Sequence, residues 1–193
     1  MATKTEQSAK SARPSETRQS ITFEVVAKLA PTATQAEKIA SSFGLEAVDY
    51  HAVRETTEEQ IGLSAKALQT TLDETAMRIH LQRVVGAFVA SAHGAATFYG
   101  TKVTQARDLT SKLANDDRDE DRDGVYGFES KAARARGFAA KAGLRAFALL
   151  AAAEGAVNAY AEITGEDWKP YEGSSTAGSV GRRSATAEME AFG

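Results

Sequence analysis

From Ile61 to Leu113 apolar residues recur at helical spacing with no intervening proline. Ile61, Leu68, Leu72, Ala76, Ile79, Val84, Phe88, Ala92, Ala95, Tyr99, Val103, Ala106, Leu109 and Leu113 step mostly by three, four or seven. Such a stripe marks an amphipathic helix with one face turned to a core. A second stretch of this kind runs from Phe138 to Ile163 and stops at Gly165, a residue type favoured just past a helix end. Between them lies a charged interruption at 115–127. The pattern predicts a mainly α fold: a long antiparallel helical hairpin or bundle with a small N-terminal subdomain and flexible tails.

The first arm would reach about 80 Å if unbroken, far beyond an average helix. Gly94 and Gly100 each cost a helix about 1 kcal/mol relative to alanine. The arm is therefore either a continuous rod or a pair of helices broken near those glycines. The hairpin spans 56–165, with the acidic hinge at 115–127.

Residues 20–55 read as the subdomain. Ile21–Leu29 alternates Ile21, Phe23 and Val25 with Thr22 and Glu24, the period of a short strand. Val26 and Leu29 break the alternation, which leaves the start of a helix open, and Pro31 ends the segment. Thr34 followed by Glu37 has the spacing of a capping box, and the helix it opens runs to Phe43 and stops at Gly44. Leu45–Val53 fits either a short helix or a second strand. Thr56 or Thr57, followed by Glu58 and Glu59, caps the long helix. Residues 1–19 are polar and without apolar period, a disordered tail. Residues 166–193 form a strap and a Gly/Ser/Thr-rich flexible tail.

Composition sharpens this. Of 193 residues 42% are hydrophobic but only 7% aromatic, and alanine supplies much of the apolar content. Alanine buries little area, so the arms need close backbone approach or oligomerisation. The net charge of −3 gives no global attraction to nucleic acid or anionic membrane. With no cysteine, disulfides and thiolate chemistry are excluded. The N-terminus lacks the apolar core of a signal peptide. Val84–Gly100 is too short and too rich in Gly, Ala and Ser for a membrane span. A cytoplasmic protein, or one within a viral particle, is expected, with no membrane partner.

Gly86, Ala90 and Gly94 are four apart, as are Ala151, Gly155 and Ala159. Rows of small residues let helix backbones approach closely, so these six are the expected seam of a hairpin or of a homo-oligomer. Trp168 and Tyr171 flank Pro170 and suit an interface for a protein partner. In the hinge, Asp119, Asp121, Asp123 and Gly124 give D-x-D-x-D-G, which resembles the first six positions of an EF-hand loop, with Tyr126 in the eighth. That resemblance implies calcium held by the three aspartates. The acid at the end is Glu129, one residue early, with Ser130 in the twelfth place. The alternative is a solvated turn within Asp116–Asp123 whose six acids, against only two arginines, repel one another and stop the helix.

After the hinge come Lys131, Arg134, Arg136, Lys141 and Arg145. Arg134, Lys141 and Arg145 share a helical face with Phe138, which suits either phosphates or local neutralisation of the hinge. At 34–55 the apolar and turn residues fall as in a helix-turn-helix. Its second helix would offer Arg54 and His51 to DNA but also Asp49 and Glu55. The histidines His51, His80 and His93 form no metal motif, and no nucleophile elbow, Walker loop or dinucleotide fingerprint occurs. No enzyme activity and no cofactor are expected.

The leading expectation is a non-enzymatic, self-associating assembly protein of the kind phage and mobile elements use as accessory factors. One alternative is a DNA-binding oligomer with 34–55 as reader and Arg54, Arg134, Lys141 and Arg145 on phosphates, an order similar to that of small terminase subunits. The other is a calcium-responsive helix–loop–helix protein.

Overall fold

The computed structural model describes residues 21–114 and 128–170. Among them the chain forms five helices and no strand: α1 (Phe23–Leu29), α2 (Ala33–Phe43), α3 (Tyr50–Leu68), α4 (Glu74–Ala114) and α5 (Phe128–Thr164). The mainly α hairpin expected from the pattern is the fold observed, with α4 and α5 as its arms. The two run antiparallel. Arg78 near the start of α4 bonds Glu166 just past α5, and Tyr99 lies against Gly143. No helix among the described residues is long and apolar enough to cross a membrane.

The first arm breaks in a place the stripe did not foretell. α4 passes through Gly94 and Gly100 without interruption, and the break falls at 69–73. Its cause is local. The amides of Thr71 and Leu72 turn back on the Leu68 carbonyl, and the Asp73 side chain accepts from the Ala76 amide at 2.7 Å, capping the new helix. The buried row of α4 is Met77, Leu81, Val85, Val89, Ala92, Ala96 and Ala106, whereas Ile79 is exposed.

The strand reading of Ile21–Leu29 is overturned. The segment is α1, whose Val26 is fully buried in the core with Leu81 and Val85. Two starts also shift. α2 is capped by Thr32, not Thr34, with Gln35 completing the capping box. α3 is capped by Asp49, not Thr56 or Thr57, its carboxylate accepting from the Ala52 amide at 3.0 Å. The ends fall where the glycines put them. Gly44 and Gly165 both take positive φ, a conformation that costs glycine nothing.

The core is organised around α5. α4 lies along it antiparallel and α3 parallel, since Tyr50 meets Phe147 and Glu154, and Glu58 meets Asn158. α2 covers a second cluster of Ala36, Ala40, Leu144 and Phe147, and α1 lies mainly on α4. A helix enclosed this way must be apolar nearly all round. Between Ala139 and Tyr160, α5 accordingly buries residues on every side, most of them alanine.

Candidate interaction surface

The backbones of α3 and α5 come close together at Gly155. A Cβ built on Gly155 would stand 2.3 Å from the Arg54 carbonyl oxygen and 3.2 Å from the Thr57 Cβ, so only glycine admits α3 at this depth. Ala151 and Ala159, one turn to either side, are buried as well. The small-residue row on α5 is thus a seam, and the chain's own α3 fills it. Within one chain the row is therefore occupied, by α3 and not by the other arm of the hairpin.

Polar groups line the edge of this contact. The Tyr50 hydroxyl donates to Glu154 Oε2, and the Tyr50 ring packs 4.9 Å from that of Phe147. Burial, then the hydrogen bond to the Glu154 carboxylate and its negative charge, raise the Tyr50 pKa above the usual phenol value, and the Arg54 charge opposes them. Asn158 Nδ2 donates to Glu58 Oε1 at 2.8 Å, and Arg54 Nε lies 3.7 Å from that same oxygen. Arg54 is therefore turned along α3 toward its own acids. It is not displayed as a DNA-reading group would be. The six residues from Gly44 to Asp49 between α2 and α3 also exceed the short turn of a helix-turn-helix.

The corresponding row on α4 behaves differently. Gly86 lies beside Trp168, whose Cζ2 is 3.8 Å from a Cβ built there, Ala90 is half-buried, and Gly94 is exposed with open space above it. The row sits more than a quarter turn from the buried face, so it is not part of the arm-to-arm contact. Instead Gly86 makes room for the strap. Trp168 Nε1 donates to the Gln82 carbonyl and Gln82 Nε2 to the Lys169 carbonyl, both at 3.2 Å. Arg78 Nη1 bonds Glu166 Oε1 at 2.6 Å. The strap closes the end of the bundle in cis. Tyr171 and the three hinge aspartates, Asp119, Asp121 and Asp123, lie outside the described residues.

At the other end the bundle thins. The buried residues of the apolar clusters reach no farther than Ala96 on α4, with Tyr99 half-buried beyond it, and Leu144 on α5. Past those points the buried residues are all alanine or glycine: Ala106, Ala132, Ala139, Ala140, Ala142 and Gly143. This distal arm, about 25 Å long, exposes Phe98 and Phe138, at 54% and 66%. Lys102 sits over the Phe98 ring, 5.1 Å from its centre. Arg134, Lys141 and Arg145 are exposed on the Phe138 face of α5. The structure thus brings Arg134, Lys141 and Arg145 together and leaves Arg54 apart on α3. The one sequence signal for the exposure of Phe138 was the helical face it shares with Arg134, Lys141 and Arg145; an aromatic at the start of an apolar run otherwise reads as core.

Comparison of the chain with protein-family models, with curated proteins and with solved structures finds no match.

Proposed function

We propose that the protein is a non-enzymatic, self-associating assembly protein. Its bundled body anchors the distal arm, and the arm engages a neighbouring copy. One observation carries the reading. The buried residues of the arm are alanines and one glycine, with Tyr99, Val103, Leu109 and Leu113 only half-buried beside them, yet it leaves phenylalanines in water on its outer faces. An alanine interface of this size buries little apolar area, and isolated helices draw most of their stability from packing. A contact that covers Phe138 or Phe98 would supply what the arm lacks. The α5 seam is already occupied by α3, so association has to use the arm or the outer helix faces.

Light scattering on the full chain after size-exclusion chromatography, across a concentration series, tests this. The expected mass is a multiple of 20.5 kDa that rises with concentration. A mass of one chain at every concentration and at low salt would refute self-association.

A further inference from the structure

Basic and acidic residues are unevenly spread. Residues 98–114 and 130–145 of the distal arm carry eight basic side chains and one acid, Asp108, and between these two stretches lie Glu129 and the hinge with its six acids and two arginines. The body, 21–97 and 146–170, carries seven basic and thirteen acidic residues. On the arm, Lys131, Arg134, Phe138, Lys141 and Arg145 step by three and four, so they lie on one face of α5. All five are exposed.

In the body, the stretch leading into and along the first half of α3 is the acidic counterpart. Glu46, Asp49, Glu55, Glu58 and Glu59 have only Arg54 among them, and Arg54 faces Glu58 and Glu55 at 3.7 and 3.8 Å. Glu55, Glu59 and Leu63 follow one another at four-residue steps on the side of α3 turned away from α5. All three are exposed, Leu63 at 58%. Each chain thus holds a basic helix face centred on a phenyl ring and an acidic helix face ending in a leucine. The two cannot meet within one chain. α3 begins beside Phe147 and runs parallel to α5, away from the stripe.

Building on the self-association proposed above, we infer that the Arg134–Arg145 stripe of one copy docks on the Glu55–Leu63 face of a second copy. The steering is electrostatic and Phe138 and Leu63 supply the apolar anchors. The contact joins different surfaces of the two copies, so each copy keeps one of each face free. Assembly then continues head to tail into a ring or an open filament.

The test uses two charge-reversed full-length variants, Arg134→Glu/Arg145→Glu and Glu55→Lys/Glu59→Lys, with light scattering as readout and circular dichroism to verify helix content. The wild type is expected to exceed one chain mass at low salt and to fall to one chain near 1 M salt, where screening acts within about 3 Å. Each variant alone is expected at one chain mass, because like charges then face each other. Their equimolar mixture is expected to recover the wild-type assembly, since each variant supplies the face the other lacks.

An oligomer that survives 1 M salt, or a mixture that stays at one chain mass while wild type assembles, would overturn the docking while leaving self-association standing. That salt result needs no variant, so it holds even if a variant fails to fold. A wild type that is a single chain throughout overturns both. A monomer that shifts a short labelled DNA duplex at low salt, and loses the shift with Arg134→Glu/Arg145→Glu, would assign the stripe to nucleic acid.

Discussion

Gly155→Ala should be among the most damaging methyl additions in this protein. The added Cβ would lie 2.3 Å from the Arg54 carbonyl oxygen and 3.1 Å from its carbon. A carbon and a carbonyl oxygen in favourable contact sit at about 3.3 Å, so α3 and α5 must part by about 1 Å. The obstacle is backbone, which cannot swing aside as a side chain could. The cost therefore falls near the upper end of the roughly 1–3 kcal/mol typical of overpacking. Replacing a helical glycine returns about 1 kcal/mol of propensity. The net expectation is a loss of about 2 kcal/mol. For a chain of this size each kcal/mol lowers Tm by about 2–4 °C, giving a drop of about 4–8 °C.

The control is internal. Gly94→Ala and Gly100→Ala meet nothing within 4 Å and should each stabilise by up to about 1 kcal/mol. Urea unfolding followed by helical ellipticity compares all three with wild type. If Gly155→Ala matches Gly94→Ala, the backbones do not touch and the packing argument for α3 on α5 is wrong. Gly155→Leu should be worse still and should abolish the folded bundle.

Asp73→Ala removes the cap that starts α4 and should cost about 1 kcal/mol in urea unfolding. Tyr50 has its pKa raised in the folded state by burial and by Glu154, so unfolding releases its proton at a lower pH than the folded form would. Its stabilising effect is present below about pH 10, the usual phenol value, and is lost as pH rises through and beyond it. Tyr50→Phe should therefore destabilise at pH 8 and flatten the decline in urea midpoint between pH 9 and pH 11. Trp168→Phe keeps a ring beside Gly86 but loses the bond to the Gln82 carbonyl; a loss of about 1 kcal/mol is expected, and Trp168→Ala should lose more. In hydrogen exchange, amides of Ala132–Gly137 should exchange at least tenfold faster than those of Ala146–Ala159, because only the latter lie in the part of α5 enclosed by the other helices; equal protection would mean that the arm is stabilised by something besides α4.

The hairpin was legible because two long runs of helical period are hard to satisfy otherwise, and because Gly165 marks the end of the second chemically. The break at 69–73 was not. Leu68 and Leu72 keep the apolar period running across it, and Asp73 looks like one more solvated acid unless it is recognised as a cap. α1 misled for the opposite reason. Ile21, Phe23 and Val25 alternate well, but Val26 is buried in the same core cluster as Leu81 and Val85, and that burial is tertiary. Small-residue spacing correctly marked the row around Gly155. It could not say which backbone would come close, since a row that accepts α3 would accept a second copy equally well. On α4 the same spacing marks no arm-to-arm contact, since Gly86, Ala90 and Gly94 stand off the buried face. The basic stripe could be read from its period, but only packing reveals that Phe138 beside it stays in water.

The choice of alanine on α5 has a consequence at both ends of that helix. Interaxial distance is set by the side chains at the contact, about 8 to 10 Å. A helix that must touch several others at the short end of that range needs small residues on every side. In the body this succeeds because neighbours on several flanks compensate for the little area each alanine buries. In the arm before Gly143 fewer helices flank α5, so the packing that suits a central helix leaves a peripheral one short of contact. Lengthening the arm with leucines would stabilise it but would also push α4 away and spoil the register with the body, since α4 runs unbroken from one region to the other. The arm's deficit therefore follows from the body's packing. A contact from outside, on the charged faces that carry Phe138 and Phe98, can relieve it without disturbing that packing.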